Sequence, residues 1–300
     1  TLGGMNLSSS TERAKMYSGN WSFMIATKGY AMVSSQTENK VAFLDLSALM
    51  QYMRESYLAP NVDFAAVVAS RGPGDNAFPK TFATNPSIKP TLISTFAVQS
   101  PTTVLAGQEL NRWTIENFKA YAASEDGTIH IFDTSGLMNR PDNTLKRALN
   151  PLAETGSFYA CKNPTSMNFA RYHDIVAPPN QKDLRANVNQ LNNTFYIVCR
   201  GDREVAEASV AGNSGMIFRT LKDSRLDDPV YIDVADRGDV VTVADFNGQR
   251  LVSFRIGNLT LWDDPTKGYG PGANGTSDYE VGGVLDLPGK PFTISQSNVN

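Results

Sequence analysis

The sequence predicts an all-β chain of repeated four-stranded antiparallel blades, a β-propeller with about four to five blades in this chain. Three observations predict it. Four stretches superpose as hairpins, a proline-led strand precedes most of them, and the prolines recur at a nearly constant step.

The hairpins are Tyr30–Asp45, Ala120–Asp133, Phe195–Ser209 and Val240–Arg255. Each joins a short β-prone run to a second alternating run through a polar turn carrying Asn, Asp or Gly. Val41 with Phe43, and Ile129 with Ile131, alternate with smaller or polar residues, as one buried sheet face requires. The proline-led strands are Ser100–Leu105, Asn163–Phe169, Asp228–Val234 and Lys290–Ile294. Proline suits the start of a strand, where its missing N–H costs no ladder bond. Positions 101, 164, 229 and 291 give steps of 63, 65 and 62 residues, one supersecondary unit repeated with inserted loops. Trp21–Thr27 is expected to fill the same slot before the first hairpin. Phe64–Ser70 is expected to add a strand, and Asp45–Arg54 shows the apolar spacing of a short helix behind a cap-like Asp or Ser.

These units give one domain over 1–300, with blades at about 19–95, 96–158, 159–222 and 223–285. Residues 286–300 then open a further blade, or close the ring together with 1–18. No hairpin follows Pro291, so the expectation is a segment of a longer, seven-bladed ring.

Asn163-Pro164 and its strand, followed by Thr194-Phe195-Tyr196-Ile197-Val198-Cys199 and the turn to Val205, resemble the YVTN-repeat, lactonase-like β-propellers. Asp228–Phe254 is similar, and Ala120–Asp133 matches the second half of the pattern. Residues 172–193 depart from it as a polar insertion, and 50–89 fit poorly. The resemblance implies a blade architecture and, as one functional option, lactone or other ester hydrolysis.

Composition narrows the rest. With 27 basic and 30 acidic residues the formal charge is −3, and there is no basic stripe of the kind that grips nucleic acid. No apolar run is long enough to span a bilayer as a helix. Asn-, Ser-, Thr- and Gly-rich texture suggests an exported protein, extracellular, cell-surface or periplasmic. Sequons then offer glycosylation at Asn6, Asn20, Asn192, Asn258 and Asn274.

The blade topology puts Cys161, just before one first strand, and Cys199, at the end of the next, on the same ring face. Either they pair as a disulfide, if the chain is exported, or they are two separate buried small residues. His130, between Ile129 and Ile131, reads as a strand residue facing outward or bonded within its blade. His173, with Arg171 and Asp174, and separately Arg237, are the channel-mouth candidates for acid–base or electrostatic work. Two histidines cannot form a three-His metal site. The acidic Gly turns at 125–127, 201–202 and 236–239 read as hairpin turns rather than calcium loops. The Gly-rich stretch 268–275 reads as an exposed loop. A nucleophile elbow, a phosphate loop and a haem-attachment motif are absent, and no cofactor or metal is expected.

With no catalytic motif and large polar insertions (50–90, 138–158, 172–193, 262–280), the main expectation is a non-catalytic recognition, scaffold or assembly module binding a protein partner through loops. The alternatives are a lactonase-like hydrolase and a propeller subunit docking a redox partner.

Overall fold

A computed structural model describes residues 6–22, 25–69, 86–106, 119–137, 150–169, 194–234, 240–256 and 279–295. The chain divides into two compact units, Thr1–Val33, Ala42–Thr95 and Leu137–Thr144 in one, Ser34–Val41, Phe96–Gly136 and Leu145–Asn300 in the other.

Fifteen strands, among the described residues, form four antiparallel sheets in a propeller-type repeat. The first is a three-stranded meander of β1 (Tyr30–Ser35), β2 (Lys40–Asp45) and β3 (Thr91–Ala97). The second has the order β4 (Pro101–Leu105), β5 (Lys119–Ser124), β6 (Thr128–Asp133), β7 (Ala153–Tyr159). The third runs β8 (Pro164–Phe169), β9 (Thr194–Cys199), β10 (Glu204–Ala211), β11 (Ser214–Lys222). The fourth runs β12 (Pro229–Val234), β13 (Val240–Asp245), β14 (Arg250–Ile256), β15 (Tyr279–Asp286).

Period-two alternation explains how the four-stranded sheets stack. On β9, Phe195, Ile197 and Cys199 join Tyr121, Ile129 and Ile131 of the second sheet in one core. The intervening Tyr196 and Val198 join Ile232, Val243 and Phe254 of the fourth sheet in another. A middle strand with both faces covered must read as a continuous apolar run, and burying each of its large side chains contributes about 1.5–3 kcal/mol. The first strands bond sheet to sheet. Thr102 Oγ1 donates to Pro164 O at 2.5 Å, and Thr165 Oγ1 donates to Val230 O at 3.0 Å.

One hairpin turn repeats in all four sheets. Asn39, Arg203 and Gln249 have φ of 50°, 57° and 53°, and Gly127 has 97°, just before β2, β10, β14 and β6 begin. In the four-stranded sheets, Glu125, Arg200 and Phe246 donate their N–H to Ser100, Asn163 and Asp228, the residues before the prolines. Connections 160–163 and 223–228 leave from this same end. The long connections 106–118, 134–152, 170–193 and 257–278 all leave from the opposite end.

In the first unit, α1 (Ser10–Tyr17), α2 (Ser47–Leu58) and α3 (Phe64–Ala69) carry the helical content. Ser9 Oγ accepts from Glu12 N to cap α1. Arg13, 3% exposed, donates to the carbonyls of Leu7, Ser8, Ala59, Pro60 and Val62 at 2.8–3.4 Å, pinning α1 to the α2–α3 connection.

Three sequence expectations are corrected. Phe64–Ser70 is a helix over its described residues, not a strand, because Asp63 Oδ1 accepts from Ala66 N at 3.0 Å and this cap outweighs the two valines. Trp21, Ser22 and 25–27 form no first strand. The turn that follows α1 is closed locally, by Ser22 N to Gly19 O and Ile25 N to Ser22 O. Lys290–Ile294 is not a strand either. Lys290 Nζ instead donates to Asn247 Oδ1 at 2.9 Å, and Phe292 packs edge-on to Phe246. Cys199 and Asp245 share one register position, since Pro164 pairs with Cys199 and Pro229 with Asp245. The helix expected near Asp45–Arg54 is present as α2.

Candidate functional site

One slot, the last residue of the second strand, sits opposite the leading proline in all three four-stranded sheets. Register pairs Pro101 with Ser124, Pro164 with Cys199 and Pro229 with Asp245. In the fourth sheet, Asp245 is fully buried and its carboxylate accepts from Asp227 N at 3.2 Å and Asp228 N at 2.6 Å, fastening the incoming chain. In the third, Cys199 is joined to Cys161 with an S–S distance of 2.06 Å and a Cα–Cα distance of 5.7 Å, which fastens the equivalent link covalently. In the second, Ser124 turns to a histidine instead. The repeat breaks its own rule there, and departures from a local rule are where function is sought.

Ser124 Oγ lies 3.3 Å from His130 Nε2, and His130 Nδ1 lies 2.7 Å from Glu154 Oε1. Three adjacent strands supply the three side chains. His130 pairs with Ala122, so its side chain shares a face with Ser124 two residues along β5. A register shift in β6–β7 between Ile131 and Phe132 sets Glu154 opposite Phe132, diagonal to His130. The network assigns the tautomer: Nδ1–H donates to the carboxylate, leaving Nε2 to accept from the serine O–H. A hydroxyl on a base that a carboxylate orients is the arrangement that activates an oxygen nucleophile.

Ser124 is 1% exposed, whereas the side chains of His130 and Glu154 are 18% and 33% exposed. The turn that follows the serine is held firmly. Glu125 N donates to Ser100 O, Gly127 N to Ser124 O, and Ala160 N to Gly127 O, at 2.9–3.0 Å. Asp126 Oδ1 accepts from Thr128 N at 2.9 Å. Gly127 is required here, because a Cβ would lie 2.1 Å from Cys161 O at a φ of 97°.

The other polar clusters satisfy themselves. Tyr196 OH donates to Glu207 Oε1 at 3.1 Å, and Arg219 Nε donates to Glu207 Oε2 at 2.6 Å, all within the third sheet. Burial pushes the Glu207 carboxyl upward, against the opposing pull of Arg219 and Tyr196. Asn168 Nδ2 donates to Asp233 Oδ1 at 2.7 Å between the first strands β8 and β12. Arg200 grips Asp228 through two bonds, Nε to Oδ1 at 2.5 Å and the terminal nitrogen to Oδ2 at 3.0 Å, which raises the guanidinium further. These contacts join strands and sheets, and buried polar groups need such partners whether or not they act on a ligand.

His173, Arg171, Asp174 and Arg237 lie outside the described residues, as do Asn192, Asn258 and Asn274. Asn6 and Asn20 are exposed, and Asn6 Oδ1 accepts from Ser8 N at 3.0 Å. His130 is bonded within its blade, as its position between two isoleucines suggests. Sequence reasoning did not single out Ser124 or Glu154. Their link to His130 depends on a three-residue turn and on a register shift one strand away. Among the described residues no group of three or more His, Cys, Asp or Glu could hold a metal ion. No helix there is long and apolar enough to cross a membrane.

No protein-family model and no curated protein matches this chain. Solved structures do. One is a functionally unknown protein of Desulfotomaculum acetoxidans DSM 771, with TM-score 0.41 and 10% identity, covering 77% of this chain and 53% of that one. A Lactobacillus plantarum protein gives TM-score 0.44 and 10% identity over 89% of this chain and 57% of its own. The periplasmic gluconolactonase PpgL of Pseudomonas aeruginosa gives 0.41 and 12%, over 88% and 55%. The chain thus spans a little over half the length of these proteins.

Proposed function

We propose that the chain hydrolyses a small ester or lactone by serine acyl transfer at Ser124. The observation that carries this reading is the unbroken line from Ser124 Oγ through both ring nitrogens of His130 to Glu154 Oε1. Ser124 Oγ attacks the acyl carbon and its proton passes to His130 Nε2. The imidazolium then gives that proton to the departing alcohol oxygen, which in a lactone stays tethered to the acyl group. Water, deprotonated by the same nitrogen, cleaves the acyl-serine and restores the hydroxyl. Glu154 is a positioning residue: it accepts from Nδ1–H, fixes the tautomer and stabilises the transient positive ring.

The test is turnover of a panel of neutral aryl esters and simple lactones. Ser124→Ala and His130→Ala are expected to lower kcat/KM by about 10²–10⁴-fold with the melting temperature retained. Glu154→Gln is expected to lower kcat and move the pH–rate profile, which a merely structural carboxylate would not do. No turnover by the folded chain, or full turnover by Ser124→Ala, would contradict the reading.

A second reading keeps the recognition or assembly role. Its support is the one-sided placement of the long connections, all leaving the end opposite the short, bonded turns. Rigid scaffolds commonly present their binding segments in this way.

A further inference from the structure

We infer that the Ser124 site takes uncharged or cationic esters and turns away anionic ones, an inference that rests on the acyl-transfer reading above. Three carboxylates belong to the site or follow it directly in the chain. Glu154 is bonded to His130, and Glu125 and Asp126, both exposed, are the two residues that follow the nucleophile. Neither Glu125 nor Asp126 has an ion-pair partner among the described residues. Several cations among the described residues are committed to other acids. Lys40 pairs with Glu38 at 2.8 Å, Lys162 with Asp202 at 3.7 Å, and Arg200 with Asp228.

Consecutive Cα atoms lie about 3.8 Å apart, so the backbone positions of Glu125 and Asp126 fall within about 8 Å of Ser124, the Debye length at physiological salt. Their field therefore reaches Ser124 only partly screened, and more fully so at low salt. An approaching carboxylate or phosphate is repelled by every charge in the site, while an ammonium group is attracted. The same field disfavours the oxyanion that forms on attack, and a positive group carried by the substrate offsets that cost. The site thus selects on charge before it selects on shape.

The experiment uses three aryl esters with one acyl skeleton, bearing a neutral, a quaternary-ammonium or a carboxylate substituent. At low ionic strength kcat/KM is expected to fall from cationic to neutral to anionic, by roughly tenfold or more between the extremes, and to converge at 0.5 M salt. The Glu125→Gln/Asp126→Asn double variant is expected to flatten the order. Its turnover of the neutral ester should rise rather than fall, because two charges that oppose the oxyanion are gone and the amide introduced at position 126 keeps an oxygen for Thr128 N. Equal or faster turnover of the anionic ester, or an unchanged order in the double variant, would overturn the inference while leaving Ser124 as nucleophile. Turnover of none of the three would overturn the acyl-transfer reading and this inference with it.

Discussion

Ser124 and Asp245 occupy equivalent positions and do different work, one bonded to a histidine and the other to two backbone N–H groups. Asp133 shows a comparable local economy at the far end of β6. Its carboxylate accepts from Ser135 N and from Asn150 Nδ2, both at 2.9 Å, closing the connection to β7. Burial alone would raise its pKa, but the bonds from Ser135 and Asn150, with Lys119 nearby, hold it below its ordinary 3.8. A depressed folded-state value means that the charged form stabilises the fold above about pH 4, and that this is lost as pH falls through the folded value. Asp133→Asn should therefore lie below the parent chain in urea midpoint at pH 6 and converge with it as pH falls below the ordinary carboxylate range. A gap that does not change with pH would contradict the assignment. Residue-scale chemistry of this kind was the least legible part of the sequence. His130 stood out between two isoleucines, but nothing in the one-dimensional pattern tied it to Glu154 across a register shift.

At the scale of elements, the hairpins were legible because each carries its own turn. Asn39, Gly127, Arg203 and Gln249 all adopt positive φ just before β2, β6, β10 and β14, and each of these positions holds a polar residue or Gly. The exceptions were segments whose neighbours decide. Phe64–Ala69 has β-branched residues and still winds as a helix behind Asp63, and Lys290–Ile294 has the proline signature but no second strand among the described residues to pair with. The link between the second and third sheets depends on Cys161 and Cys199. Their Cα atoms stand 5.7 Å apart across 38 positions, with Cys161 3% and Cys199 0% exposed. Closing a loop of that length removes about 4 kcal/mol of unfolded-chain entropy. The Cys161→Ser/Cys199→Ser variant is expected to lose stability of about that size, and non-reducing peptide mapping should recover the two cysteines linked. Free thiols at both positions in oxidised, folded protein would contradict the pairing.

For the molecule as a whole, the proline step was legible from sequence because one structural unit recurs with its bonding intact. The residue before each of Pro101, Pro164 and Pro229 accepts from the residue that follows the second strand, in three successive sheets. What the step could not reveal is where the repeat fails, since Ser124, Cys199 and Asp245 differ only in what their side chains reach. That failure is the ground for assigning chemistry to Ser124. The most direct measurement is exposure of the folded chain to a fluorophosphonate, followed by intact mass and peptide mapping. A single adduct on the peptide holding Ser124, with fluoride released and no adduct in His130→Ala, is the predicted result. An unlabelled folded chain, or an adduct on another residue, would contradict the account.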